Sequence, residues 1–187
     1  MQTFIVGFLD TFRVGLNHVR IGLVKYSTSA TLEFDLAKHS NAEDMKKAVN
    51  GIRHLGGGTN TGVALSFMGP LFEAAAATRR VPEYLVVITD GESTDKVKDP
   101  AAELRAQGVT VFAIGVKESN DTQLQEIAGD SKRTFSVSNF DALNTISNGI
   151  VTEICAPEGK KSFHMLHYKT SVSAGAQKLS SVAGNFP

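Results

Sequence analysis

The sequence predicts an α/β domain with a doubly wound, mostly parallel sheet and one antiparallel hairpin at its edge. Two apolar runs, YLVVITD and VTVFAIGV, are typical of strands buried on both faces of a sheet. Helical segments alternate with these runs, which favours parallel strands covered by helices on both sides. Two earlier segments, HVRIGLVKYS and ATLEFDL, alternate apolar and polar residues and predict the hairpin.

Helical periodicity and capping signals set the remaining elements. The first stretch carries apolar residues at helical spacing from Phe4 to Phe12 but has no N-cap, so the chain is predicted to begin inside a helix. A capping box, Ser40-x-x-Glu43, predicts the start of the next helix. The later helices are predicted at about Gly62 to Ala77, Asp99 to Gly108, Asp121 to Ala128, and Phe140 to Ile154.

Composition and length limit the function classes. The chain has 187 residues, 42% of them hydrophobic, which suits one domain with a tail. Its formal net charge is zero and no basic block stands out, so a nucleic-acid partner is not expected. No apolar run reaches the roughly 18 residues of a membrane span. No signal peptide is visible, so we interpret the chain as intracellular or as an excerpt of a longer protein.

The periodicity fades after residue 155. Residues 1–155 are therefore assigned to the domain and residues 156–187 to a flexible C-terminal tail, rich in Ser, Gly and Ala. His164 and His167, within that tail, make a poor zinc site because zinc usually takes four ligands, or three with water.

The stretch GGGTNTGVAL, residues 56–65, could bind phosphate, bind a metal or form a turn. A phosphate-binding P-loop needs Lys after its closing glycine, where this chain has Val63. A dinucleotide loop needs a third glycine where Thr61 stands, and it should follow a strand. Both phosphate motifs therefore fail.

Two oxygen-bearing residues suit a hard cation. Thr59 offers a hydroxyl at the end of the glycine loop, and Asp90 offers a carboxylate directly after a predicted central strand, where ligand sites form in such sheets. The alternatives are a helix cap for Thr59 and an ordinary turn carboxylate for Asp90. Glu92, Ser93 and Thr94 follow on the same rim.

Several motifs, in order, resemble one family. In chain order, the motifs are HVRIGLVKYS, GGGTNTGVAL, YLVVITDGES, AQGVTVFAIGV and LQEIAG. Together they are similar to the von Willebrand factor type A domain, most of all to the A domains of non-fibrillar collagens and matrilins. The resemblance covers about residues 1–155. It implies a doubly wound sheet with a metal-ion-dependent adhesion site on its upper face.

The resemblance also implies a function. Thr59 and Asp90 match the threonine and aspartate of the family's metal site, which holds Mg²⁺ or Mn²⁺ and is commonly completed by a carboxylate of the protein ligand. It implies a secreted, extracellular-matrix, protein-binding module that is not an enzyme, with Asn60, Glu92 and Ser93 as the rim that contacts the partner. Cys155 matches a cysteine that pairs, in matrix A domains, with one outside the present chain.

The chain departs from the family at its start. The family's first strand, central in the sheet, and the D-x-S-x-S metal loop after it would both precede Met1. Without the D-x-S-x-S loop we expect weak or absent cation binding by this chain. Without the strand we expect marginal stability, unless a strand from the tail, a partner chain or an upstream segment fills the gap.

Two other functions remain open. A metal-independent structural module could bind partners through the side of a helix. The absence of the D-x-S-x-S metal loop favours this function. An enzyme is not expected, because the sequence shows no nucleophile–base pair and no intact cofactor loop.

Overall fold

In the computed structural model, residues 1–53 and 56–155 are described in full, and residues 179–185 by their backbone. The helices are α1 (Gln2–Leu9), α2 (Ala42–Asn50), α3 (Thr61–Thr78), α4 (Lys98–Ala106), α5 (Asp121–Ala128) and α6 (Leu143–Cys155). The strands are β1 (Arg20–Tyr26), β2 (Ala30–Phe34), β3 (Glu83–Thr89), β4 (Thr110–Val116), β5 (Thr134–Val137) and β6 (Leu179–Asn185).

The strands form one sheet in the order β2-β1-β6-β3-β4-β5. Only the edge pair β1–β2 is antiparallel, and every other neighbouring pair is parallel. The predicted doubly wound sheet with an antiparallel edge hairpin is confirmed. Since parallel strands share a direction, β1, β3, β4 and β6 all end at one edge of this sheet, which we call the upper edge.

The strand between β1 and β3 comes from the C-terminal tail. β6 pairs in parallel with β1 along its whole length, from Arg20↔Leu179 to Tyr26↔Asn185, and with β3 from Glu83↔Leu179 to Ile88↔Gly184. The prediction that residues 156–187 form a flexible tail is therefore wrong for residues 179–185. Residues 156–178, with His164 and His167, lie outside the described residues.

The centre of the sheet was expected to need a strand from the tail, a partner chain or an upstream segment. The structure shows the strand from the tail. The sequence LSSVAGN gave no strand signal because its apolar residues are few and its periodicity is weak. Its position follows from its neighbours: β1 and β3 each present a row of backbone donors and acceptors that must be paired once they are buried.

Both faces of the sheet are covered by apolar cores. On one face, Phe4, Phe8 and Leu9 of α1 pack with α2, α6 and alternate residues of β1 and β3. On the other face, Leu65, Met68 and Phe72 of α3 pack with α4, α5 and the intervening strand residues. All seven residues of β3 are buried, as the continuous apolar run predicted.

Three predicted helix starts are shifted. The N-cap of α2 is Asn41, not Ser40, and its side chain accepts a hydrogen bond from Asp44 N. Helix α4 begins at Lys98, one residue before the predicted start at Asp99. Helix α6 begins at Leu143, so Phe140 precedes the helix in which it was predicted to lie. Helix α5 closes as expected, with Gly129 in the left-handed conformation (φ 70°) that glycine adopts easily. Within the described part of the chain, no helix is both long and apolar enough to cross a membrane.

Candidate functional site

The upper edge brings together loops that are far apart in sequence. The glycine loop, residues 56–60, precedes α3. The loop that follows β3, residues 90–97, lies beside it, and the hairpin turn after β1 lies on its other side. The predicted site residues Thr59 and Asp90 belong to the first two of these loops.

Thr59 lies directly against the turn that carries Asp90. A Cβ added at Gly91 would be 3.3 Å from Thr59 Oγ1, so this hydroxyl lies beside the residue that follows Asp90. The two loops are also joined by a 2.8 Å hydrogen bond from Thr94 N to Thr59 O. Both Thr59 and Asp90 are partly exposed. The structure thus brings the two predicted residues to one place on the upper edge.

The hairpin turn holds the glycine loop from the other side. Asn60 N donates to Ser27 O at 2.8 Å, and Asn60 Nδ2 donates to Thr28 O at 3.0 Å. Gly58 N donates to Thr28 Oγ1 at 3.1 Å. A Cβ at Gly57 would come within 2.9 Å of Ser27 Oγ, so the Ser27 side chain would have to move to admit a larger residue. The loop is therefore fixed between two neighbours.

Asp95, for which the sequence predicted no role, caps α3. Its carboxylate accepts hydrogen bonds from Gly62 N at 2.8 Å and Val63 N at 2.7 Å. These are backbone donors that a helix start leaves without intrahelical partners. Ser93 Oγ accepts from Thr61 N at 2.9 Å and donates to Asp95 at 2.6 Å. The N-cap position of α3 is Asn60, so Thr59 is not the helix cap that was its alternative role.

The three residues predicted to form the rim that contacts a partner do not all lie at the surface. Ser93 is only 8% exposed and is engaged in the cap of α3, so it lies beneath the rim and not on it. The Asn60 side chain donates a hydrogen bond to Thr28 O and accepts one from Thr94 Oγ1. Glu92 is exposed and accepts a 3.1 Å hydrogen bond from Asn120 Nδ2. Among the three, Glu92 is the side chain that solvent reaches most freely.

Tyr26 lies beneath the site. Its hydroxyl is 3.5 Å from Ile88 O and accepts from Thr61 Oγ1 at 3.4 Å. Burial raises the pKa of Tyr26 to about 12, with a smaller contribution from the negative charges of Asp90 and Asp95. The phenol is thus neutral at physiological pH and lies buried beneath the acidic loop that follows β3.

The donor set at Thr59 and Asp90 suits a hard cation that keeps its water. A hydroxyl and a carboxylate are oxygen ligands, and Mg²⁺ typically takes one or two carboxylates and retains several waters. The described residues contain no group of three or more His, Cys, Asp or Glu side chains that could form an all-protein cage. Asp95 does not extend the set, since its oxygens are committed to the helix start.

The fold and this edge define a class: a doubly wound α/β domain that presents oxygen ligands at the carboxyl ends of its parallel strands. The sequence matches the von Willebrand factor type A domain family over residues 1–149. The chain belongs to that family.

The curated proteins with similar sequences include collagen VI chains and matrilins. The chain is 43% identical over 185 residues to the human collagen alpha-6(VI) chain, a match that covers 96% of this chain and 8% of the collagen. It is 35% identical over 165 residues to mouse matrilin-2, covering 83% of this chain and 17% of the matrilin. The chain thus spans a small part of the relatives it matches.

Solved structures share the fold. Proximal thread matrix protein 1 from the mussel byssus superposes with a TM-score of 0.72 at 27% identity, over 83% of this chain and 40% of that one. Another structure of that protein, described as having a zinc-occupied MIDAS motif, gives a TM-score of 0.73 at 25% identity, with the same shares covered. Manganese-loaded TRAP protein of Plasmodium vivax, at 16% identity and a TM-score of 0.66, covers 80% of this chain and 64% of that one and supports the fold alone.

Proposed function

We propose that this chain is a protein-binding module of the extracellular matrix, secreted as part of a longer protein, and not an enzyme. The observation that carries the proposal is the proximity of the Thr59 hydroxyl to the Asp90–Gly91 turn at the upper edge of the sheet. The names of the relatives, collagens and matrilins, support the matrix setting.

A divalent cation, Mg²⁺ or Mn²⁺, would be held by Thr59 and Asp90 with water in its other positions. When bound, the cation supplies a positive charge for an acidic group of the partner. The protein's own contribution is to hold the two ligands in place: Asp95 fixes the start of α3, and Asn60 ties the glycine loop to the hairpin turn. The zinc-occupied MIDAS motif named for the mussel thread matrix protein supports a cation at this edge.

The partner would be another protein that offers a carboxylate. Glu92, exposed beside the site, would repel an acidic surface unless a cation or a basic residue of the partner lies nearby. This charge favours a partner whose acidic group is accompanied by basic residues.

A metal-independent module is the second candidate, and one feature of α3 favours it. Val63 is 43% exposed and Phe67 is 38% exposed. Since they are four residues apart, they lie on one face of the helix. Together they form an apolar flank beside the upper edge that could bind a partner without a cation.

Calorimetric titration with Mg²⁺ and with Mn²⁺ separates the two candidates. The cation proposal predicts saturable binding that Asp90→Ala abolishes. Glu153→Ala is the matched control, because it removes a carboxylate of equal charge from the exposed side of α6 and should leave binding unchanged. No binding at millimolar metal, with retained partner capture that Phe67→Ala abolishes, would support the second candidate and contradict the first.

A further inference from the structure

We propose that the groove between the β1–β2 hairpin and α3 binds a small amphipathic anion: an unbranched apolar chain of about eight carbons that ends in a carboxylate. The chain lies along the groove, and the carboxylate lies beside Arg20. The proposal goes beyond the proposed function, because this groove needs neither a cation at the upper edge nor a protein partner.

The size and lining of the groove suit such a ligand. Its volume is about 290 Å³, close to the lower end of the roughly 300–1,000 Å³ typical of small-molecule sites. A methylene group is about the size of a water molecule, whose share of liquid volume is about 30 Å³, so the groove holds roughly ten such groups. Apolar residues of both walls line it: Val24, Leu32, Met68, Leu71, Phe72 and Ala75.

The hairpin wall of the groove is only partly covered by the protein. Val24 and Leu32 are directly opposite each other in the β1–β2 pair, so their side chains lie on the same face of the sheet. Val24 is 1% exposed, whereas Leu32 is 38% exposed. Leu71, on the helix wall, is also partly exposed. An apolar chain in the groove would remove this surface from water, which favours binding.

Two guanidinium groups meet at the end of the groove farthest from the upper edge. Arg20, the first residue of β1, lines the groove there. Its Nε donates to Leu16 O at 2.8 Å, and Arg79 Nη1 donates to the same oxygen at 3.2 Å. Two positive charges thus share one neutral acceptor. Within the described part of the chain, neither of them forms an ion pair with a carboxylate.

This uncompensated charge favours an anion. Arg79 Nε is buried and has no hydrogen-bond partner among the described residues. Burial lowers the pKa of the Arg79 guanidinium, and the charge of Arg20 lowers it further. Asp35 also lines the groove, and its Oδ1 accepts a 2.9 Å hydrogen bond from Ala37 N. Its single negative charge is outnumbered by the two guanidiniums, and arginine binds carboxylates through paired hydrogen bonds.

The test uses the full chain, octanoate as the probe and octanol as its uncharged counterpart. Calorimetric titration should show saturable binding of octanoate, about tenfold tighter than that of octanol, because only the carboxylate accepts charged hydrogen bonds. NMR of the ¹⁵N-labelled chain locates the site. Chemical-shift changes should concentrate in residues 20–24, 32–37 and 68–78, which line the groove.

Variants separate the head of the ligand from its chain. Arg20→Gln should lose most of the preference for octanoate yet bind octanol as the native chain does, which shows that the groove is intact. Arg80→Gln is the matched control, because Arg80 is exposed and does not line the groove. Leu32→Gln should weaken both ligands several-fold. Leu16→Gln, at a 41% exposed leucine outside the groove, should weaken neither.

Several outcomes would overturn the proposal. They are the absence of saturable octanoate binding, equal affinity for octanoate and octanol, equal effects of Leu32→Gln and Leu16→Gln, and chemical-shift changes confined to the upper edge. A dimer that octanoate does not dissociate, with these residues at its interface, would assign the groove to a second copy of this chain instead.

Discussion

The carboxylate of Asp95 accepts a 2.7 Å hydrogen bond from Val63 N, across 32 residues of sequence. This bond joins the loop after β3 to the start of α3, and the glycine loop that carries Thr59 leads directly into that helix. The position of the Thr59 hydroxyl therefore depends on a carboxylate that does not itself face the proposed cation.

Replacing Asp95 by alanine should destabilise the domain. The start of α3 would lose its acceptor for two backbone N–H groups, and loss of a helix cap costs about 1–2 kcal/mol. Urea unfolding measures the change. Asp95→Asn keeps one acceptor oxygen and should lose less. Equal stability of the native chain and Asp95→Ala would contradict the assigned cap.

Gly62→Ala should be more disruptive than a helical glycine substitution normally is. A Cβ there would overlap Lys96 O, so the loop after β3 would have to move away from α3. Overpacking of this kind costs about 1–3 kcal/mol. Gly149→Ala in α6 is the control, because a Cβ at that position meets nothing within 4 Å and alanine favours a helix. Equal changes of the melting temperature in the same direction for both variants would contradict the close packing of Gly62 against the loop after β3.

Tyr26 should make stability fall at alkaline pH. Its pKa is raised to about 12 in the folded protein from 10 in the unfolded chain, so the folded state keeps a proton that the unfolded state loses between these values. The stabilisation is complete below pH 10 and is lost as pH rises to about 12, a change of roughly 2–3 kcal/mol. Unfolding of the native chain and Tyr26→Phe, measured from pH 8 to 12, should show a steeper fall for the native chain. Parallel curves would mean that the phenol does not titrate differently in the two states.

Glu83→Gln should stabilise the protein at neutral pH. Burial raises the pKa of the Glu83 carboxyl, so ionising it opposes folding as pH rises above the ordinary value of 4.5. Glutamine removes that opposition and keeps the size of the side chain. The gain over the native chain should be present at pH 7 and absent below pH 4.5. A gain that is independent of pH would assign it to packing.

Much of this fold is local in origin and could be predicted. The buried runs around Leu85 and Val111 and the helical spacing from Phe4 to Phe12 each follow from neighbours in sequence. The metal-site expectation for Thr59 and Asp90 came from the ordered motifs, and their proximity follows from the rule that parallel strands end at one edge.

Three of the errors have a common cause, since each depends on contacts distant in sequence. LSSVAGN is a strand only because β1 and β3 lie on either side of it. Ser93 was assigned to the rim because it follows a strand end, but the backbone of α3 draws its side chain inward. Asp95 was overlooked because the helix that it caps begins 32 or more residues earlier in the chain.

The most direct test of the central claim is a Mn²⁺ titration followed by NMR of the ¹⁵N-labelled chain. If Thr59 and Asp90 hold the cation, paramagnetic broadening should begin at amides of residues 58–60 and 90–94, saturate, and disappear in Asp90→Ala but not in Glu153→Ala. Broadening that spares these loops, or that persists unchanged in Asp90→Ala, would contradict the claim.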